Sequence, residues 1–362
     1  KGVPLIVDAV GSPDLFPSLL RMASPAGRIG LLGFSKEPSP FVQLEAAMFD
    51  AFEGAYAVPE AVAVPRDMTG AASRYVGRCV EAIGKGADLS GLNIVLDCAN
   101  GAAYQVAPEA LRRLGAQLTV IGDRPDGLNI NAGVGSTATG ALKAAVLDQR
   151  ADIGIAFDGD ADRLIVVDEL GHEVDGDQVM GLIATELHRK GRLRGGGMVA
   201  TVMSNMGLAE YLKDLGLTLE RTKVGDRYVG EHMRAHGFNL GGEQSGHIIL
   251  SDVSTTGDGL LAALQVLSVL AQSGEKASTV ARVFTPAPQK LVNIRYNGAN
   301  PLDLPRVAAA LAEAEALLGS QGRLVVRKSG TEPLIRVMAE ALEEGLMQKA
   351  LGIAVDAVQS EA

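Results

Sequence analysis

Tryptophan is absent, and the 362 residues include only 6 Tyr and 8 Phe. So few rings argue against the stacking platforms on which single-stranded nucleic acids lie. Basic residues are in deficit as well: 33 Lys and Arg stand against 43 Asp and Glu, a formal net charge of −10. Without a Lys/Arg-rich block there is no electrostatic footprint for a nucleic-acid partner. No apolar run reaches the ~18–20 residues that a membrane-spanning helix needs. The longest, residues 259–271, is interrupted by Gln265 and Ser268 and predicts a buried helix instead. Cys79 and Cys98 are the only cysteines, which excludes a disulfide scaffold and a zinc site. No charged leader, apolar core and small-residue cleavage site open the sequence, so the cytoplasm is the expected compartment.

What is abundant is glycine, 44 residues, within a chain that is 47% hydrophobic. Many tight loops between buried elements fit a multi-layer α/β enzyme. Strand and helix alternate almost throughout. Strands are predicted over 92–98, 117–121 and 152–157, with helices ending at Leu114 and spanning 140–149, and further strands flanking the turn at Gly159. A second α/β unit follows from about Gly171. It has strands over 198–203, 217–221 and 247–250, and helices capped by Ser204, Asp226 and Thr256. Residues 285–289, with two prolines, predict a linker. Beyond it, strands over 290–296, 323–327 and 334–339 and a helix over 304–318 predict a small α+β unit. The first 65 residues hold one βαβ pattern, with strands over 4–10 and 28–33 and a helix over 15–23. No GxGxxG phosphate turn accompanies it.

Three clusters could carry chemistry. Asp158, Asp160 and Asp162 follow an apolar strand, with Arg163 beside them. In an extended segment their side chains share one side, and a hard divalent cation, Mg²⁺ most naturally, would neutralise them. A polar hairpin turn is the plain alternative; an EF-hand is disfavoured because its sixth-position Gly is missing. Glu243 and Ser245, flanked by glycines, suit the hydroxyls of a sugar ring. Arg327, Ser329, Gly330 and Thr331, with Arg336 a few residues on, combine guanidinium forks with hydroxyls and a glycine turn, which suits phosphate. Lys223, next to a predicted helix start, is an acid–base candidate, although most lysines are simply solvated. His172, His188, His232 and His236 are scattered and read as surface or packing residues.

A metal loop, a sugar loop and a phosphate loop in that order resemble the α-D-phosphohexomutases. The text carrying the resemblance runs from about residue 67 to the end: LNIVLDCANGAAY, PDGLNIN, GSTATG, GIAFDGDADRLIVVDELG, KVGDRYVGEHM, GGEQSGHIIL and RKSGTEPLIRVMAE. It is most similar to the branch that interconverts glucosamine 6-phosphate and glucosamine 1-phosphate.

The resemblance implies an α/β architecture: two three-layer α/β domains over 66–168 and 169–284, then a smaller α+β domain over 285–362. It implies Asp158, Asp160 and Asp162 as Mg²⁺ ligands. Arg163 and Lys223 become catalytic groups, and Glu243, Ser245 and His247 substrate contacts. Arg327, Ser329, Gly330, Thr331 and Arg336 become the phosphate grip. The implied partner is a phosphorylated hexose or hexosamine, and a homo-oligomer stays open. The family's phosphoserine belongs to a first domain, in a Ser-His-Asn-Pro-like loop; no such tetrapeptide occurs in these residues. Binding without turnover is therefore expected. Residues 1–45 instead resemble part of the cofactor domain of zinc-type alcohol dehydrogenases, without the elements that bind NAD.

Overall fold

The computed structural model describes residues 70–84, 88–297, 300–329 and 333–362 and, of the first 69, the backbone of 3–8 and 23–31. Residues 1–68 and 69–362 are separate compact units. In the first, β1 (Val3–Asp8) pairs in parallel with β2 (Ala23–Leu31). The helix expected over 15–23 lies outside the described residues, except that Ala23 already belongs to the strand.

The second unit begins with α1 (Ala71–Ala82), β3 (Asn93–Asp97), α2 (Ala103–Arg113), β4 (Gln117–Ile121) and α3 (Gly140–Gln149). It continues with β5 (Ile153–Phe157), β6 (Leu164–Asp168) and β7 (Glu173–Val174). These strands form a sheet of order β4-β3-β5-β6-β7, parallel among the first three and antiparallel thereafter. All of β5 is buried, which is why its five residues contain no polar side chain. One face packs Ile94, Leu96 and Ile155 against α1 and α2. The other packs Val95, Ala156 and Val167 against Leu142 and Val146 of α3.

A second sheet follows. Its elements are α4 (Gly176–Arg189), β8 (Gly197–Thr201), α5 (Met206–Asp214), β9 (Thr218–Thr222), α6 (Asp226–His236), β10 (Leu240–Gly242) and β11 (Ile248–Leu250). The strand order is β11-β10-β8-β9, with β11 antiparallel. Val229 and Met233 of α6 seal one face with Val199 and Ile249. Between the two sheets lies α7 (Gly259–Ser273), followed by the short α8 (Ala277–Val280). Leu260, Leu261, Leu264 and Leu267 of α7 belong to the same core as Phe157, Leu164, Met180 and Leu240. An apolar surface on nearly every side is what a helix shared by two sheets requires.

The last part holds β12 (Gln289–Arg295), α9 (Pro305–Leu318), β13 (Gly322–Lys328), β14 (Leu334–Ala341) and α10 (Glu344–Gln359). Its antiparallel sheet, β12-β14-β13, packs Ile294, Ile335, Val337 and Ala339 against the two helices as a core of its own. Three helix starts differ from expectation. Asn205, not Ser204, caps α5, and Asp258, not Thr256, caps α7; each side chain accepts a backbone N–H of the first turn. Gly225, not Asp226, precedes α6. A cap is chosen by backbone geometry within a run of polar residues, which composition alone does not resolve. Among the described residues no helix is long and apolar enough to cross a membrane.

Candidate functional site

Open α/β sheets offer ligands the crevice beyond the carboxyl ends of their parallel strands. Here β5 ends at Phe157 and delivers Asp158, β9 ends at Thr222 and delivers Lys223, and β10 ends at Gly242 and delivers Glu243.

The segment after β5 is not extended, contrary to expectation. Extended backbone would set Asp158 and Asp162 about 13 Å apart. Instead Ala161 adopts φ +62° and its N–H donates to the Asp158 carbonyl at 3.0 Å. This turn gathers one carboxylate oxygen from each of Asp158, Asp160 and Asp162 to within 4.8 Å of one another. Burial and then the Asp162 charge push Asp158 up to about 6. Burial acts most strongly and would raise Asp162, but the hydrogen bond and charge of His247, with the Arg163 charge and a hydrogen bond with Asp158, together outweigh it and hold that carboxyl below its ordinary range. Arg163 answers the crowding only in part, its Nε standing 3.6 Å from Asp158 and 3.8 Å from Asp162. Among the described residues Asp162 Oδ1 is buried with no hydrogen-bond partner. Clustered acidic oxygens, one of them unsatisfied, fit a hard divalent cation with metal–oxygen distances of about 2.0–2.6 Å.

The second loop is joined to the first. Residues Arg163 and His247 form an antiparallel bridge, and His247 Nδ1 lies 3.1 Å from Asp162 Oδ2. The Gly257 N–H donates to His247 Nε2 at 3.2 Å, so Nδ1 carries the proton given to Asp162. Gly246, at φ +93°, sits where an added Cβ would lie 2.1 Å from the Leu164 carbonyl oxygen. Only glycine lets the loop lie this close to β6. The Glu243 carboxylate accepts the Gly225 N–H at 2.9 Å, and Ser245 Oγ stands 3.5 Å from its other oxygen.

The third loop joins β13 to β14, where Arg327 and Arg336 are cross-strand partners. Like charges placed opposite are unfavourable. Burial and then Arg336 lower the basicity of Arg327, with Glu243 countering. The Nε of each guanidinium is buried and has no hydrogen-bond partner among the described residues. Two desolvated cations with unused donors suit an anion. Ser329 is buried, and its N–H donates to the Leu334 carbonyl. Gly330 and Thr331 lie outside the described residues.

The fold thus brings Asp158, Asp160, Asp162, Arg163 and His247 together, and Glu243 with Ser245. The Glu243 charge reaches Arg327 and the Asp226 carboxylate lies 3.8 Å from His247 Nε2. Buried His247 has both ring nitrogens engaged, which suits holding Asp162 more than touching a sugar. Lys223 lies exposed on the turn before α6 and forms no ion pair among the described residues. Sequence reasoning missed Gly225, Gly257 and Asp97. The fully buried Asp97 accepts the N–H groups of Ala99 and Gly135, tying two loops beside the metal turn. Its one signal was a lone carboxylate closing an apolar strand.

Three family models match the chain: phosphoglucomutase/phosphomannomutase α/β/α domain II over residues 72–171, α/β/α domain III over 175–287, and the C-terminal domain over 291–350. A phosphoglucosamine mutase of Hyphomonas neptunium is 72% identical over 88% of this chain and 71% of its own length. That of Granulibacter bethesdensis is 57% identical over 84% of this chain and 66% of its own length. The chain therefore spans about two thirds of these relatives. A phosphoglucomutase/phosphomannomutase family protein from Burkholderia thailandensis has a similar fold, with TM-score 0.67 and 24% identity over 80% of this chain and 64% of that one. The N-acetylphosphoglucosamine mutase of Aspergillus fumigatus, solved with GlcNAc-6P and magnesium, gives TM-score 0.64 and 22% identity over 79% and 70%.

Proposed function

The chain belongs to the phosphoglucomutase/phosphomannomutase family of α-D-phosphohexomutases, and from that premise we propose that residues 69–362 hold the metal, sugar and phosphate sites of a phosphoglucosamine mutase. The substrate pair is glucosamine 6-phosphate and glucosamine 1-phosphate. The observation that carries this reading is the His247 bridge, which makes the acidic turn and the sugar loop one constellation.

Asp158, Asp160 and Asp162 would hold Mg²⁺, which when bound supplies positive charge to a reacting phosphoryl group. His247 keeps Asp162 in place. Glu243, half-satisfied by Gly225, offers its remaining oxygen to a sugar hydroxyl, and Ser245 offers a second contact. Arg327 and Arg336 grip the phosphate that is not reacting, which lets a sugar bisphosphate bind in either orientation. Arg163 carries positive charge beside the acidic turn. Lys223 is the proposed proton carrier, reaching the crevice from the end of β9. No Ser-His-Asn-Pro loop is present to donate a phosphoryl group, so these residues bind and orient the sugar phosphate without turning it over.

The test is to incubate the chain with glucose 1,6-bisphosphate and Mg²⁺. The expected results are no covalent phosphoserine by intact mass, no turnover in a coupled assay, and Mg²⁺-enhanced binding of glucosamine 6-phosphate by calorimetry. The enhancement should vanish with EDTA and in Asp160→Asn. Absence of sugar-phosphate binding with Mg²⁺ present would overturn the reading.

A further inference from the structure

Side chains alternate between the faces of a strand, so Gln289, Glu340 and Arg323 share one face of the C-terminal sheet, opposite the core formed with α9 and α10. They are also register partners, and together form a row across the three strands. This row is a clip. Arg323 bonds the Glu340 carboxylate through Nε, and donates to the Val202 carbonyl at 2.8 Å and the Ser204 carbonyl at 2.5 Å. Fully buried Glu340 also accepts the Met206 N–H and Gln289 Nε2, both at 3.1 Å. Gln289 Nε2 donates to the Met203 carbonyl at 3.0 Å, and its oxygen accepts from Gln244 Nε2 at 3.2 Å. The clip therefore grips the turn after β8 and, through Gln244, the loop that carries Glu243 and Ser245.

Four residues further along β13 and β14, on the same face, stand Arg327 and Arg336. Four residues of strand span about 13 Å, and a sheet packed on two helices does not bend appreciably over that length. Where the arginine pair stands relative to Glu243 follows from where the row at Gln289 is clipped.

We propose that Gln289, through its bond to Gln244, is a positioning residue that sets the span between Glu243 and the Arg327–Arg336 pair. It thereby sets the distance between hydroxyl and phosphate that the site accepts. This rests on the sugar-phosphate reading above. Inorganic phosphate needs only the arginine pair, whereas a hexosamine phosphate must engage both ends at once, so the two ligands separate spacing from anion binding.

The full chain, Gln289→Leu, Gln244→Leu and the double variant are titrated calorimetrically with inorganic phosphate and with glucosamine 6-phosphate. Arg327→Ala identifies the phosphate binding that belongs to the pair. The expected result is phosphate affinity within about twofold of the parent and glucosamine 6-phosphate affinity lowered about tenfold. The double variant should be no weaker than either single one, because both break the same link. Unchanged sugar-phosphate affinity in both single variants overturns the proposal, and so does an equal loss for the two ligands, which would mean general loosening. If the parent binds neither ligand, the sugar-phosphate reading fails and takes this proposal with it.

Discussion

Arg327 and Arg336 face each other across two strands, and among the described residues the Nε of each is buried without a hydrogen-bond partner. A fold tolerates such a pair when an anion completes it. Arg327→Ala is expected to weaken glucosamine 6-phosphate binding by about 1.5–3 kcal/mol, the range for hydrogen bonds to a charged group. Calorimetry measures this, and an unchanged dissociation constant would rule out the clamp.

Asp177 makes a second residue-scale case. It is fully buried in α4, and burial and then Asp175 push its carboxyl up to about 7. Glu340 acts in the same direction, and the Arg221 guanidinium nearby is itself depressed by burial. Folded protein therefore keeps a proton on Asp177 that the unfolded chain sheds above about pH 3.9. Stability from this group is intact below that pH and declines as pH rises towards 7. Asp177→Asn should flatten the decline, so urea unfolding at pH 5 and pH 8 differs less in the variant than in the parent.

At the scale of elements, α7 bears the most. It packs on both larger sheets, and its N-cap Asp258 accepts the Tyr75 hydroxyl of α1 at 2.9 Å, tying that helix to the start of α7. Leu264 is wholly buried at its centre. Leu264→Ala should cost about 2–5 kcal/mol. Because one core spans both sheets, far-UV dichroism and proteolysis of each sheet should report the same lowered midpoint. The existence of α7 was legible as a long apolar run broken only by Gln265 and Ser268 before its last turn. Its start was not, since residues 254–258 offer several capping side chains and only the chain's approach selects Asp258. Of the strands around it, β5 and β11 were legible to within a residue, because a strand buried on both faces is apolar throughout; β6 was legible only as a flank of the Gly159 turn, and β10, Leu-Gly-Gly, not at all.

Across the whole molecule, the separation of two α/β sheets from an antiparallel C-terminal sheet was readable in the switch from alternating strand and helix to paired strands. The chemistry of each loop was readable too. A trio of carboxylates, a Glu with a Ser two residues on, and arginines beside the sequence Ser-Gly-Thr are the residue types from which the metal, sugar and phosphate sites are proposed, since charge and hydrogen-bonding type belong to side chains and not to the fold. Folding decided which of these loops meet. Asp162 meets His247, Glu243 meets Gly225, and Gln244 meets Gln289 only because separate sheets share α7 and a buried polar clip. Those contacts arise from packing between segments far apart in the chain, and no local spacing records them. The acidic turn makes the same point in miniature: the residues were evident, but a left-handed Ala161, not strand alternation, draws their oxygens together.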